Sequence, residues 1–177
     1  VDAEAAKKNW LGPVVYEYYN STEAHGMTFI SAQERLAHPG SVGRSVLGVL
    51  HICDDDGNAL PTGEIGTVYF ERDALPLEYH NDTDKTSQAQ HPAHPTWTTV
   101  GDLGSVDADG YLYLADRKSF MIISGGVNIY PQEVENTLAL HPAVHDVAVI
   151  GVPHPEMGEE VKAVVQPHDM AKAGKEL

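Results

Sequence analysis

Three groups of side chains in this chain are dense enough in functional atoms to do chemistry. The first is Tyr19-Asn20-Ser21-Thr22-Glu23, where an aromatic face, two hydroxyls and a carboxylate follow an apolar run ending at Tyr19. Ligands of open α/β sheets bind at strand ends of this kind. A base could stack on Tyr19, a phosphate could accept from the hydroxyls, and Glu23 could hold magnesium, a hard ion that prefers oxygen. Taken alone, the same residues also suit a turn that caps itself with Ser and Thr side chains, which is the commoner use of such a run. The second group is Gly101-Asp102-Leu103-Gly104 after Trp97-Thr98-Thr99-Val100. A carboxylate between glycines suits both hydroxyls of a ribose, although a lone turn aspartate is the commoner case. The third is Arg117 near Gly125-Gly126, where a planar guanidinium stands close to a loop that a ligand could approach. A surface arginine beside a β-turn fits that pair as well.

Positioning these groups requires strands and a few short helices. The run from Asp116 to Glu135, DRKSFMIISGGVNIYPQEVE, places a basic turn before an apolar stretch, Phe120 to Ile123, that reads as a buried strand. Pro131 then suits the first turn of a helix reaching Leu140, with Glu133 and Glu135 near the positive end of its dipole. Upstream, Val14 to Tyr19 reads as a buried strand. Ser45 to Cys53 and Glu64 to Arg72 read as two strands of a hairpin with a long connection through Asp54-Asp55-Asp56-Gly57-Asn58. A polar excursion from Asp73 to Pro95 is expected to hold a short helix around Asp82 to Ala89. Thr98 to Val100, a hairpin turn at Asp107-Ala108-Asp109-Gly110 and Tyr111 to Leu114 complete a small β unit. Val144 to Val152, as a core strand, and Val161 to Gln166 follow the last helix. The pattern predicts an α+β chain with a domain boundary near Asp116 to Ser119, giving residues 1–116 and 117–177.

Composition sets limits on partners. Eleven Lys and Arg against 26 Asp and Glu give a formal charge of −15 over 177 residues. That balance argues against nucleic acid or an anionic membrane surface, both of which need basic patches. One cysteine, Cys53, allows no internal disulfide, and no apolar run of spanning length is visible, so a cytoplasmic protein is expected. Nearby aspartates disfavour a thiolate at Cys53. His91 and His94, like His141 and His145, lack a completing Cys or carboxylate and read as loop and surface residues. Val1 to Lys8 reads as a helical pattern without a cap, and the polar stretch Met170 to Leu177 ends soon after a strand, which together suggest a fragment.

In order and spacing, YYNSTE, GSVGRS (Gly40 to Ser45), TVGDLG (Thr99 to Gly104), DGYLYLADRK (Asp109 to Lys118) and IISGGVNIYPQEVE resemble the acyl-adenylate-forming enzymes. The resemblance runs from about Val14 to Gln166 and is nearest to bacterial fatty-acid–CoA ligases. It implies the β-rich, distorted-barrel end of a large N-terminal domain followed by a small, truncated α+β lid. It also implies that a carboxylic acid reacts with ATP to give an acyl-adenylate, which CoA then attacks. Tyr19 is then expected to stack on adenine with Asn20 and Ser21 beside it, Thr22 to contact the α-phosphate, and Glu23 to help hold Mg2+. Asp102 and Arg117 are expected to grip the ribose, Gly125 and Gly126 to line the pantetheine channel, and Ala24, His25 and Gly26 to wall the acyl pocket.

Departures from the family pattern fall at Asn20, where glycine is common and asparagine still tolerates αL geometry; at Val100, where threonine is usual; and at the hinge position Ser119. The phosphate-gripping loop is expected upstream of Val1 and the lid lysine beyond Leu177, since Lys162, Lys172 and Lys175 do not sit in its motif. This chain alone is therefore expected to catalyse adenylation poorly or not at all. A non-catalytic nucleotide- or CoA-binding module and a ligase delivering to a carrier-protein thiol are the alternatives.

Overall fold

The structure is a computed structural model that describes residues 14–75 and 77–170. The helical pattern at Val1 to Lys8 and all but the first residue of the polar stretch Met170 to Leu177 lie outside the described residues. The chain is α+β and forms two compact units, Val1–Leu114 and Ala115–Leu177.

The first unit carries two sheets. β1 (Glu17–Asn20), β2 (Met27–Ile30) and β3 (Arg44–Leu47) form one in that order. The other contains β4 (Val49–Cys53), β5 (Gly66–Glu71), β6 (Trp97–Thr98), β7 (Asp102–Val106) and β8 (Leu112–Arg117), in the order β4-β5-β7-β8 with β6 on β5. β8 thus begins in the first unit and ends in the second. The run Ser45 to Cys53, expected as one strand, is broken at Gly48, whose φ is 82°. A Cβ there would lie 2.9 Å from the Glu71 carbonyl oxygen, and the Ser45 hydroxyl donates to the Gly48 carbonyl at 2.5 Å. Glycine therefore lets the chain turn from one sheet into the other.

The expected hairpin is present, with β4 antiparallel to β5 from Val49↔Glu71 to Cys53↔Thr67. Central position in the sheet explains why β5 is buried from Gly66 to Phe70. Ile52, Val68, Phe70 and Leu112 make the core, with Tyr19, Val42, Leu50, Leu60 and Val106 packed on it. Fully burying a side chain such as Phe70 contributes roughly 1.5–3 kcal/mol.

Two short helices flank these sheets. α1 (Ala32–Ala37), absent from the sequence expectations, follows from a capping box. The Ser31 hydroxyl accepts from the Glu34 N–H at 3.3 Å, while the Glu34 carboxylate accepts from the Ser31 N–H at 2.9 Å. α2 (Thr83–Gln88) is the expected helix, capped by Asp82, which accepts from the Lys85 N–H at 2.9 Å.

Several expectations need correction. Val14 to Tyr19 is not a buried strand: β1 alternates half-buried and exposed residues, and Tyr18 is 68% exposed. His91 is buried, because its Nδ1 accepts from the Ala93 and His94 N–H groups and its Nε2 therefore donates to the Gly57 carbonyl at 2.8 Å. His94 is exposed and stacks on Trp97. Cys53, in line with its expectation, has a raised thiol pKa, caused first by burial and then by Asp54.

In the second unit β9 (Ile122–Ser124), β10 (Val127–Ile129), β11 (Val144–His154) and β12 (Gly158–Pro167) form a sheet in the order β10-β9-β12-β11. Gly125 and Gly126, at φ 58° and 82°, join β9 to β10 with Ser124 opposite Val127. Two consecutive left-handed residues are what a type I′ hairpin turn needs. Phe120 is 62% exposed and Ile122 alone of Phe120 to Ile123 is buried, so the expected buried strand is one edge of a hairpin. Of Val144 to Val152 only Val149 is buried, and the other residues of the expected core strand are half-buried or exposed.

α3 (Pro131–Leu138) opens on Pro131 as expected and stops two residues before Leu140. Tyr130 offers no side-chain cap; Asp116 instead accepts from the Gln132 N–H at 3.1 Å and from the Arg117 N–H at 2.7 Å. Glu135 accepts from the Val149 N–H at 2.8 Å, fastening α3 to β11. Among the described residues no helix is long and apolar enough to cross a membrane.

Replacing Ser31 by Ala is expected to cost about 1 kcal/mol in denaturant unfolding, the usual loss of an N-cap. Ser31, first through its side chain, holds the Glu34 pKa at about 2 instead of 4.5. A depressed carboxylate pKa stabilises above the ordinary value and loses that contribution as pH falls through the folded one. Glu34→Gln is therefore expected to flatten the acid-side stability loss between about pH 4.5 and 2, followed by unfolding at stepped pH.

Candidate functional site

A side-chain hydrogen bond ties the end of β1 to the start of β7. The Tyr19 hydroxyl donates to Asp102 Oδ2 at 2.6 Å, across 83 residues of sequence. Tyr19 reaches this position because it lies on the half-buried face of β1 and packs against Phe70, centroid to centroid 6.3 Å. Asp102 is only 9% exposed and opens β7 directly after Gly101, which has φ 85° and donates its N–H to Thr99 Oγ1 at 3.0 Å. A short hydrogen bond to a carboxylate is a strong one, and here it fixes two strand ends at once.

Beyond Tyr19 the chain turns tightly. The Ala24 N–H donates to the Ser21 carbonyl at 3.0 Å, and Ala24 has φ 54°. Asn20, which would tolerate αL geometry, stays in β1 opposite Met27, and the left-handed position falls on Ala24. Extended pairing in the hairpin holds Asn20, so the reversal comes four residues later. Arg72 Nη1 donates to the Ala24 carbonyl at 3.0 Å and braces this strained residue.

The turn presents Thr22 to solvent with Glu23 half-buried beside it. Glu23 Oε2 accepts from the Thr22 hydroxyl at 3.1 Å, and Oε1 accepts from the Tyr79 hydroxyl at 3.1 Å. Its own backbone N–H, then Tyr79, Thr22 and Ser21, hold the Glu23 carboxyl below its ordinary pKa against the opposing effect of burial. Among the described residues no three His, Cys, Asp or Glu gather as a metal site. One carboxylate nonetheless fits magnesium carried by a nucleotide, since that ion takes one or two protein carboxylates and completes its shell with phosphate oxygens and water.

His25 is fully buried; its Nδ1 lies 2.8 Å from Ser21 Oγ, and its Nε2 has no hydrogen-bond partner among the described residues. Burial is the main cause lowering its pKa, so the neutral ring is favoured. It meets Phe70 edge to face at 5.0 Å. Gly26 is buried against the same ring.

The structure thus gathers Tyr19, Asn20, Ser21, Thr22, Glu23, Ala24, His25, Gly26 and Asp102 in the first unit. Arg117, Ser119, Gly125 and Gly126 belong to the second. There Ser119 sits in a turn closed by the Phe120 N–H on the Arg117 carbonyl at 2.9 Å. A Cβ on Gly125 would strike the Met157 methyl at 2.5 Å, whereas one on Gly126 would meet nothing within 4 Å. Sequence reading missed Tyr79, Arg72 and Asp116 as supports. Tyr79 stands 56 residues from Glu23, and no local spacing connects them.

Residues 133–177 match the family model of the AMP-binding enzyme C-terminal domain. A medium/long-chain-fatty-acid–CoA ligase of Mycobacterium tuberculosis is 36% identical over 92% of this chain and 28% of its own length. The solved amide bond synthetase McbA of Marinactinospora thermotolerans superposes with TM-score 0.80 at 33% identity, covering 96% of this chain and 34% of that one. The o-succinylbenzoate CoA synthetase of Bacillus subtilis, in complex with the acyl-adenylate intermediate OSB-AMP, gives TM-score 0.80 at 30% identity over 93% of this chain and 34% of its own. The same synthetase in complex with ATP and magnesium ion matches at 31% identity and TM-score 0.73, over 87% of this chain and 32% of its own. The chain therefore spans about a third or less of the relatives it matches.

Gly26→Ala drives a Cβ into the Phe70 ring, at a position whose φ is not in the left-handed region. Overpacking of this kind costs typically 1–3 kcal/mol. The expected outcome is a lower unfolding midpoint in denaturant than that of the unsubstituted chain.

Proposed function

The chain belongs to the acyl-adenylate-forming superfamily, and from that premise we propose that it is part of an ATP-dependent acid–CoA ligase acting in the cytoplasm on a fatty or other lipophilic acid. The observation that carries this reading is the Tyr19 to Asp102 hydrogen bond, with the Thr22–Glu23 pair on the same turn. It unites in one place an aromatic face, a carboxylate suited to ribose hydroxyls, a hydroxyl suited to phosphate and a carboxylate suited to magnesium.

In the proposed reaction the acid's carboxylate attacks the α-phosphorus of ATP and pyrophosphate leaves, giving acyl-AMP. The CoA thiolate then attacks the acyl carbon, forming the thioester and releasing AMP. Tyr19 stacks on adenine, Asp102 accepts from the ribose hydroxyls and Thr22 donates to the α-phosphate. Glu23 would hold Mg2+, which when bound offsets the negative charge of the phosphates. The Ala24-His25-Gly26 wall faces the acyl group.

Residues 1–116 are assigned to the large domain and 117–177 to a lid, with Ser119 as the hinge and Arg117 as a second ribose contact. Gly125 and Gly126 are assigned to the pantetheine channel. The open space beside Gly126 supports that assignment, since a thin ligand needs close approach to backbone. The likeness to an amide bond synthetase supports a second reading in which the acyl-adenylate goes to an acceptor other than CoA.

The test uses the protein that carries this chain, given ATP, Mg2+, CoA and a panel of fatty, aryl and branched acids, with products read by mass spectrometry. An acyl-CoA together with AMP is expected. A folded, ATP-binding protein that forms no thioester with any acid would contradict the CoA reading. Asp102→Ala is expected to lower kcat/KM for ATP by roughly 10- to 100-fold, as for loss of hydrogen bonds to a charged group.

A further inference from the structure

The polar excursion that begins at Asp73 returns to the turn through Tyr79. This residue hydrogen-bonds at both ends. Its N–H donates to Thr86 Oγ1 at 2.9 Å, and its hydroxyl donates to Glu23 Oε1 at 3.1 Å. Its ring is covered by Lys85, with Nζ 4.1 Å from the centroid. Thr86 in turn donates to the Asp82 carbonyl at 2.8 Å, within the first turn of α2. The tyrosine is therefore held by the capped start of a helix, and only its hydroxyl faces the carboxylate.

The two oxygens of Glu23 are treated differently. Oε1 faces the anchored hydroxyl of Tyr79, whereas Oε2 takes the hydroxyl of exposed Thr22, its sequence neighbour. We propose that Tyr79 is a positioning residue that holds the Glu23 carboxylate by Oε1, so that Oε2 is presented to magnesium when Thr22 turns its hydroxyl to the nucleotide phosphate. The inference rests on the ligase reading above. A fixed carboxylate loses less conformational entropy on taking the ion than a free glutamate side chain does. Tyr79 touches neither nucleotide nor metal in this account; it acts through Glu23.

The test is calorimetric binding of ATP to the protein carrying this chain, with and without Mg2+, in wild type, Tyr79→Phe, Glu23→Gln and the double variant. Pyrophosphate release against magnesium concentration is followed in parallel. Tyr79→Phe is expected to weaken magnesium-dependent ATP binding and raise the magnesium requirement by roughly 10-fold, the scale of one hydrogen bond to a charged group. ATP binding without magnesium and the KM for the acid are expected to stay unchanged, and the double variant to lose no more than Glu23→Gln alone. An unchanged magnesium requirement in Tyr79→Phe, or additive losses in the double variant, would overturn the positioning role while leaving the ligase reading standing. A wild-type protein whose ATP binding ignores magnesium and which forms no adenylate would overturn both.

Discussion

The first unit depends on a polar bond placed on top of an apolar core. Tyr19 spends its ring on Phe70 and its hydroxyl on Asp102, so one side chain joins the packing of the interior to the ends of two strands. An aspartate that is 9% exposed needs such a donor, because burying a carboxylate without partners is costly. The bond thus fixes where β1 ends, and with it the start of the turn that carries Thr22 and Glu23. The neighbouring constraints follow in order. Gly26 must be glycine because Phe70 fills the space beside it, and Ala24 takes the left-handed conformation because Asn20 is kept in the strand.

That turn is held from outside as well. Arg72 fastens the Ala24 carbonyl and Tyr79 fastens the Glu23 carboxylate, each from a segment remote in sequence. Loops that present functional groups usually gain precision from a rigid support, and here the support comes from the end of β5 and the capped start of α2. The second unit uses the same economy at Asp116, which caps α3 from the end of β8 because Tyr130 cannot. A single carboxylate there joins the basic turn to the helix.

Local signals were legible in the sequence wherever their cause was local. Pro131 marks the start of α3, Asp82 caps α2, and the β4–β5 hairpin follows from two β-branched runs around an aspartate-rich turn. The ordered motifs identify the family, and Tyr19, Glu23 and Asp102 stand out by residue type and spacing alone. What escaped depended on contacts distant in sequence. The depth of His91 rests on the Gly57 carbonyl 34 residues away, and the break at Gly48 rests on the Glu71 backbone. Burial of Val14 to Tyr19 and Phe120 to Ile123 was overestimated because an apolar run does not reveal that only one face of its strand is covered. The Ser31–Glu34 capping box is a local signal as well, an S-x-x-E spacing that marks the start of α1.

The central claim is that Tyr19 and Asp102 act as one element of a nucleotide site. A double-mutant cycle on ATP affinity tests it most directly, using Tyr19→Phe, Asp102→Asn and the pair in the protein that carries this chain. The account predicts that the two losses are strongly coupled, with the double variant binding ATP no more weakly than the poorer single variant. Losses that simply add would show that the two residues serve ATP independently, and ATP affinity unaffected by either would contradict the account outright.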